Sequence, residues 1–111
     1  MPVFRGRVAP RFDHAREVWV FTLSLGGYHD LQVLHWGAES EAERVRQLRQ
    51  SGVRVLICGA IEDWLLGYVR HWGMVGIPWV QGEVYTVLQK FLQGYWWGQD
   101  PRLEAWTRRF T

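Results

Sequence analysis

Cysteine is almost absent from this 111-residue sequence: Cys58 is the only one. A single thiol excludes an internal disulfide and every zinc or iron–sulfur framework built from several cysteines of one chain. No apolar run approaches the roughly 18 residues that a membrane-spanning helix needs. The opening stretch, MPVFRGRVAP, lacks the apolar segment of a signal peptide. Both features make the cytoplasm the expected compartment. Histidines are few (His14, His29, His35 and His71), and none has a partner at the i,i+4 spacing of a helical metal site. A Cys-x5-Arg phosphatase loop is excluded, because Trp64 stands where the arginine belongs.

Charge of one sign is also scarce. The net charge is +2, and the excess sits at the two ends: Arg5, Arg7, Arg11 and Arg16 in front, Arg102, Arg108 and Arg109 behind. Nucleic acid is not the expected partner, since its footprint needs a denser basic stripe. A small anion needs only two or three such groups. Tryptophan, in contrast, is abundant, with eight residues. Trp96, Trp97 and Trp106 fall beyond the last clear helix, where aromatics either fill a gap in the fold or form a contact surface for a second copy or another protein.

The length suits one domain with a single core. EVWVFTL at 17–23 and DLQVLH at 30–35 are rich in β-branched and aromatic residues, and the Gly26-Gly27 pair between them signals a hairpin turn. A helix follows, opened by a Ser40/Glu43 capping box and closed at Gly52. Ala42, Val45 and Leu48 form its apolar face, with Arg44, Arg46 and Arg49 on the other side. Val53–Cys58 reads as a strand buried on both faces, as in a parallel sheet. Ile61, Leu65, Tyr68, Val69 and Trp72 have helical spacing, ending at Gly73. Ile77–Val80 reads as a short strand, edge-placed because of Pro78. Val84, Val87, Leu88, Phe91 and Leu92 make the clearest helical stripe, closed by Gly94. A short strand at 2–4 is also expected. The order predicts a mixed sheet covered by helices: an N-terminal antiparallel hairpin, then helix, strand, helix, strand, helix. Residues 1–94 form the domain, and residues 95–111 an extension with a turn or two of helix after Pro101.

Three stretches, GRVAPRFDHA at 6–15, VRVLICGAI at 53–61 and GIPWVQGEVYTVLQKFLQG at 76–94, together resemble the dinitrogenase iron–molybdenum cofactor biosynthesis family. The resemblance spans roughly residues 3–94 and rests on the order and spacing of the three motifs. It implies a three-layer α/β fold of the ribonuclease H-like type without ribonuclease chemistry, and a non-catalytic domain that binds or carries an iron–sulfur or iron–molybdenum cluster. Two departures stand out. Only Met1 to Arg5 precede the Gly-Arg-Val turn, which makes the first strand short. Arg11 occupies the position where many members carry histidine, which replaces direct ligation by electrostatic binding of an anion.

The expected site lies at the carboxyl ends of the strands, the ligand edge of open α/β sheets. Arg7, Arg11 and His14 alternate with Val8, Pro10 and Phe12, so that cations project while apolar residues pin the loop. The alternative is a solvated turn with Phe12 in the core. Gly59 and Gly82 bring backbone N–H groups and helix N-termini to the same edge; the alternative at Gly82 is a plain turn with Glu83 set against the helix dipole. Cys58 reads either as a thiol activated by the following helix N-terminus or as a small buried residue ending a core strand. Cys58 and His35 are the candidate direct metal ligands. The leading expectation is a cluster- or anion-binding domain, the next a protein-interaction module using the tryptophan-rich extension, and the last a thiol enzyme.

Overall fold

The computed structural model describes residues 1–24 and 27–107. Gly26 of the expected glycine turn, and Arg108 and Arg109, lie outside the described residues. The strands are β1 (Pro2–Phe4), β2 (Arg7–Val8), β3 (Glu17–Ser24), β4 (Gly27–His35), β5 (Val55–Ile57) and β6 (Val75–Ile77). The helices are α1 (Glu41–Gln50), α2 (Asp63–His71), α3 (Val84–Leu92) and α4 (Pro101–Thr107), with single 3-10 turns at Phe12–His14 and Trp97–Gln99. Among the described residues, no helix is long and apolar enough to cross a membrane.

Strands β2-β1-β3-β4 form an antiparallel sheet, and β5 and β6 a parallel pair. Where one continuous mixed sheet is expected from sequence, the ladders are separate, and isolated bridges, Arg7 to Glu83 and Arg11 to Ala60, lie beyond the β5–β6 pair. The last strand also sits earlier than its expected place at Ile77–Val80. Parallel pairing with Val55, Leu56 and Ile57 draws in Val75, Gly76 and Ile77, and the proline follows the ladder. Gly76 lets α2 pack close on β6: a Cβ would lie 2.5 Å from Leu66 Cδ1, so the leucine tip would have to move aside.

Side chains alternate across the strands with a period of two. Val18, Leu56 and Cys58 point into a core with Val45 and Leu48 of α1 and Leu65 and Val69 of α2. Val3, Ile57, Val75 and Ile77 point into a second core with Val84, Val87, Leu88 and Phe91 of α3. Helices therefore cover two faces of the strands, in three layers. Leu103 of α4 is fully buried in the second core.

Local signals explain the helix ends. Ser40 Oγ accepts from the Glu43 N–H at 3.2 Å, and Gly52 closes the segment at a φ of 84° that suits glycine. Glu83 caps α3 by accepting from the N–H groups of Tyr85 and Thr86.

Candidate functional site

Beyond the carboxyl ends of β5 and β6, the loop at residues 10–13 meets Ala60–Glu62 and Trp79 around a cleft of about 240 Å³. Backbone hydrogen bonds build this junction. The Ala60 N–H donates to Pro10 O, the Phe12 N–H to Ala60 O, and the Trp79 N–H to Gly59 O. Gly59 is the tight point. A Cβ there would fall 2.6 Å from Pro10 O and still closer to Ala9 O, both backbone atoms that can yield only by moving the loop.

Phe12 anchors the loop by entering the core, where its ring meets Trp36 edge-on at 5.1 Å. Arg44 holds the same loop from α1. Sequence patterning sets Arg44 on the solvent side of that helix; the structure corrects this, for it is 5% exposed. Its Nη1 donates to the carbonyl oxygens of Asp13 at 3.2 Å and Ala15 at 3.3 Å, its Nη2 donates to Gly37 O at 3.1 Å, and its guanidinium lies over the Trp36 ring. Carbonyls left over at the end of a one-turn 3-10 helix need donors, and one buried guanidinium supplies several.

Arg11 and Asp13 occupy the mouth. Arg11 donates to both carboxylate oxygens, at 3.0 and 2.9 Å. Burial raises the Asp13 pKa, but the Arg11 hydrogen bonds and charge outweigh it and hold the carboxyl below its usual range. His14 is exposed, 3.6 Å from the same carboxylate. The positive charge of Arg11 is thus already matched, and Glu41 and Glu62 add further carboxylates to the cleft wall.

Trp79 is the feature that the sequence reading did not single out. The residue is 72% exposed, and its backbone adopts a φ of 64°. A bulky residue in the left-handed region is strained by roughly 1–2 kcal/mol. The available signal was the Pro78-Trp79 pair directly beyond a strand end.

The other expected site residues lie elsewhere. Cys58 is fully buried among apolar side chains, and burial pushes its thiol up to about 12. Of the two readings of Cys58, the structure shows the small buried residue at a strand end: the sulfur faces the α1–α2 core, and desolvation outweighs any lowering by the helix N-terminus. His35 is exposed and pairs with Glu17 at the end of the outer strand β4. Strand order does not bring it to Cys58. Gly82 O accepts from the Val8 N–H at 2.9 Å, and the helix N-terminus beside it is taken by Glu83. Arg7 bridges to Glu83 on that side, where it helps to hold the Glu83 carboxyl low, behind the hydrogen bonds from Thr86 and Tyr85. Among the described residues, no three His, Cys, Asp or Glu side chains converge on a metal position. Trp96, Trp97 and Trp106 are half-buried and pack on the second core, and the Trp97 Nε1–H donates to Phe91 O at 2.8 Å.

No protein-family model matches the chain, and no curated protein does. Among solved structures, the crystal structure of PH0822 is similar, with a TM-score of 0.75 over 79% of each chain at 16% sequence identity. Likeness at that identity establishes a shared α/β fold.

Proposed function

We propose that this chain is a non-catalytic binding domain of the ribonuclease H-like arrangement, and that its ligand seats in the cleft between Arg11–Asp13, Ala60–Glu62 and Trp79. The carrying observation is Trp79, a large ring held exposed at the strand edge by a strained backbone. Strain of this kind persists where surrounding structure enforces it, and it concentrates at ligand sites. The domain type is taken from the motif resemblance to the dinitrogenase cofactor biosynthesis domains, with which a three-layer α/β fold is compatible.

The charge of the cleft selects the ligand class. Asp13, Glu41 and Glu62 face one arginine that is already paired, so the wall favours a planar or cationic group stacked on Trp79. An iron–sulfur or iron–molybdenum cluster fits these residues poorly. Clusters are held by thiolates, whereas Cys58 is buried with its proton retained and His35 is exposed on the outer strand. No step is therefore assigned to a cluster.

Two titrations separate the cation from the cluster or small anion. Benzyltrimethylammonium should shift the Trp79 indole N–H resonance, with the shift lost in Trp79→Ala and weakened in Glu62→Gln. Anaerobic reconstitution with iron and sulfide should leave no visible absorbance on the protein. Cluster uptake that Arg11→Ala abolishes would transfer the assignment to cluster carriage, and an unmoved Trp79 resonance would remove the cation.

A further inference from the structure

Arg11 is the only cation among the described residues that line the Trp79 cleft, and its charge is turned inward: Nε and Nη2 fork onto the two carboxylate oxygens of Asp13. The main chain on both sides of it is fixed. The Ala60 N–H donates to Pro10 O at 2.8 Å and the Phe12 N–H to Ala60 O at 2.9 Å, so Arg11 can leave Asp13 by rotating its side chain alone. Asp13 stays in place when it does, because Arg44 holds its carbonyl oxygen at 3.2 Å. The Arg11 side chain is 57% exposed. Breaking an exposed pair of this kind costs no more than about fivefold in an equilibrium.

The other carboxylates of the cleft are unlike Asp13. Glu41, in the first turn of α1, is half-buried, and its carboxylate makes no hydrogen bond or ion pair among the described residues. Glu62 stands at the N-cap of α2 without capping it, whereas Glu83 at the same position of α3 does cap. Glu62 Oε2 accepts instead from the Trp64 Nε1–H at 2.9 Å, which leaves Oε1 unbonded. These oxygens ask for N–H donors, and the exposed Trp79 ring asks for a flat face. A quaternary ammonium has no N–H to give, and a primary ammonium is not planar. A guanidinium meets both demands, since its face stacks on an indole while its donors lie in the plane and reach carboxylates at the edge.

We propose that the ligand of this cleft is the guanidinium of an arginine side chain on a partner polypeptide, and that Arg11 competes with it. The inference rests on the cation reading of the Trp79 cleft and narrows it. A polypeptide is the source because the acidic wall repels the α-carboxylate of free arginine. Arg11 opposes the ligand twice, by occupying Asp13 and by repelling a second cation. Its role is thus opposite in sign to that of an arginine that holds an anion.

The test uses the full chain, with the Trp79 indole N–H resonance as readout. The probes are N-acetylarginine amide, its neutral isostere N-acetylcitrulline amide, free arginine and tetramethylammonium. The blocked arginine should bind about fivefold tighter or more than each of the other three. Arg11→Ala should tighten its binding about three- to fivefold, the worth of the exposed pair. Arg11→Lys, which keeps a cation beside Asp13, should not tighten it. Glu41→Gln should weaken it about threefold or more. Tetramethylammonium binding as tightly as the blocked arginine overturns the guanidinium and leaves the cation reading standing. Free arginine binding equally well overturns the polypeptide source. Unchanged or weaker binding in Arg11→Ala overturns the competition. A Trp79 resonance that no probe moves removes the cation reading together with this inference.

Discussion

Arg44 donates to the carbonyl oxygen of Ala15, a residue 29 positions earlier, at 3.3 Å and in a buried setting. Helix α1 is tied by this contact to the end of the loop that carries Arg11 and Asp13. Arg44→Met keeps an unbranched apolar stem and removes every donor. It should lower the unfolding free energy by about 1.5–3 kcal/mol, the range for hydrogen bonds to a charged group. Arg44→Lys should fall between, since an ammonium cannot span the same carbonyls. Urea denaturation of the three proteins checks the order.

Cys58 gives an alkaline limit to stability. Its thiol pKa rises from 9.0 to about 12 on folding because burial disfavours the thiolate. A raised folded pKa means that the contribution is fully present below pH 9 and is lost as pH climbs toward 12. Unfolding free energy should decline there with a limiting slope of about 1.4 kcal/mol per pH unit. The decline should flatten in Cys58→Ala. Iodoacetamide at neutral pH should modify the native protein far more slowly than the urea-unfolded chain; equal rates would contradict the burial.

Much of this was legible in sequence, and the failures have a common cause. The Ser40 cap of α1, the core of the strand read at Val53–Cys58 and the α3 stripe depend on neighbours in the chain; the cap and stripe form where read, and the strand pairs over Val55–Ile57. Residue type places Arg44 on the polar side of α1, yet its partners are carbonyls of a distant 3-10 turn. The start of β6 was set by pairing with β5, which no local pattern encodes. Cys58 was correctly located at a strand end, but which face it takes is decided by register. The strain at Trp79 has no local signature beyond the proline before it.

Gly59→Ala should be one of the more disruptive small changes in the protein. The added methyl meets two backbone oxygens, so the loop at 9–10 must shift away. A loss of about 1–3 kcal/mol is expected from overpacking. Amide exchange at Ala60 and Phe12, whose N–H groups bond across this junction, should accelerate more than exchange in α3.

Trp79→Gly should stabilise the fold. The exposed ring contributes little packing, and glycine relieves the left-handed backbone, for a gain of about 1 kcal/mol. The same change removes the stacking face from the cleft. Trp79→Ala separates the effects, because it removes the ring and keeps most of the strain. A Trp79→Gly protein that melts lower than the parent would place the ring in a structural role.

Leu103→Ala tests whether α4 belongs to the fold. A fully buried leucine in the second core should lose about 2–5 kcal/mol on truncation. An effect under 0.5 kcal/mol by thermal denaturation would mean that the segment from 95 onward packs only marginally.

The two-sided burial of β5 has a consequence for length variation. Leu56 and Cys58 serve one core while Ile57 serves the other, so the strand has no idle face. A one-residue insertion or deletion near Val55 would transpose the two sets and spoil both cores at once, since a slip by one reverses every side chain. The β3–β4 hairpin, whose outer strand is largely exposed, can change length with far less penalty. Natural and engineered variation in chain length should accordingly gather at the hairpin tip and be excluded from the segment around Cys58.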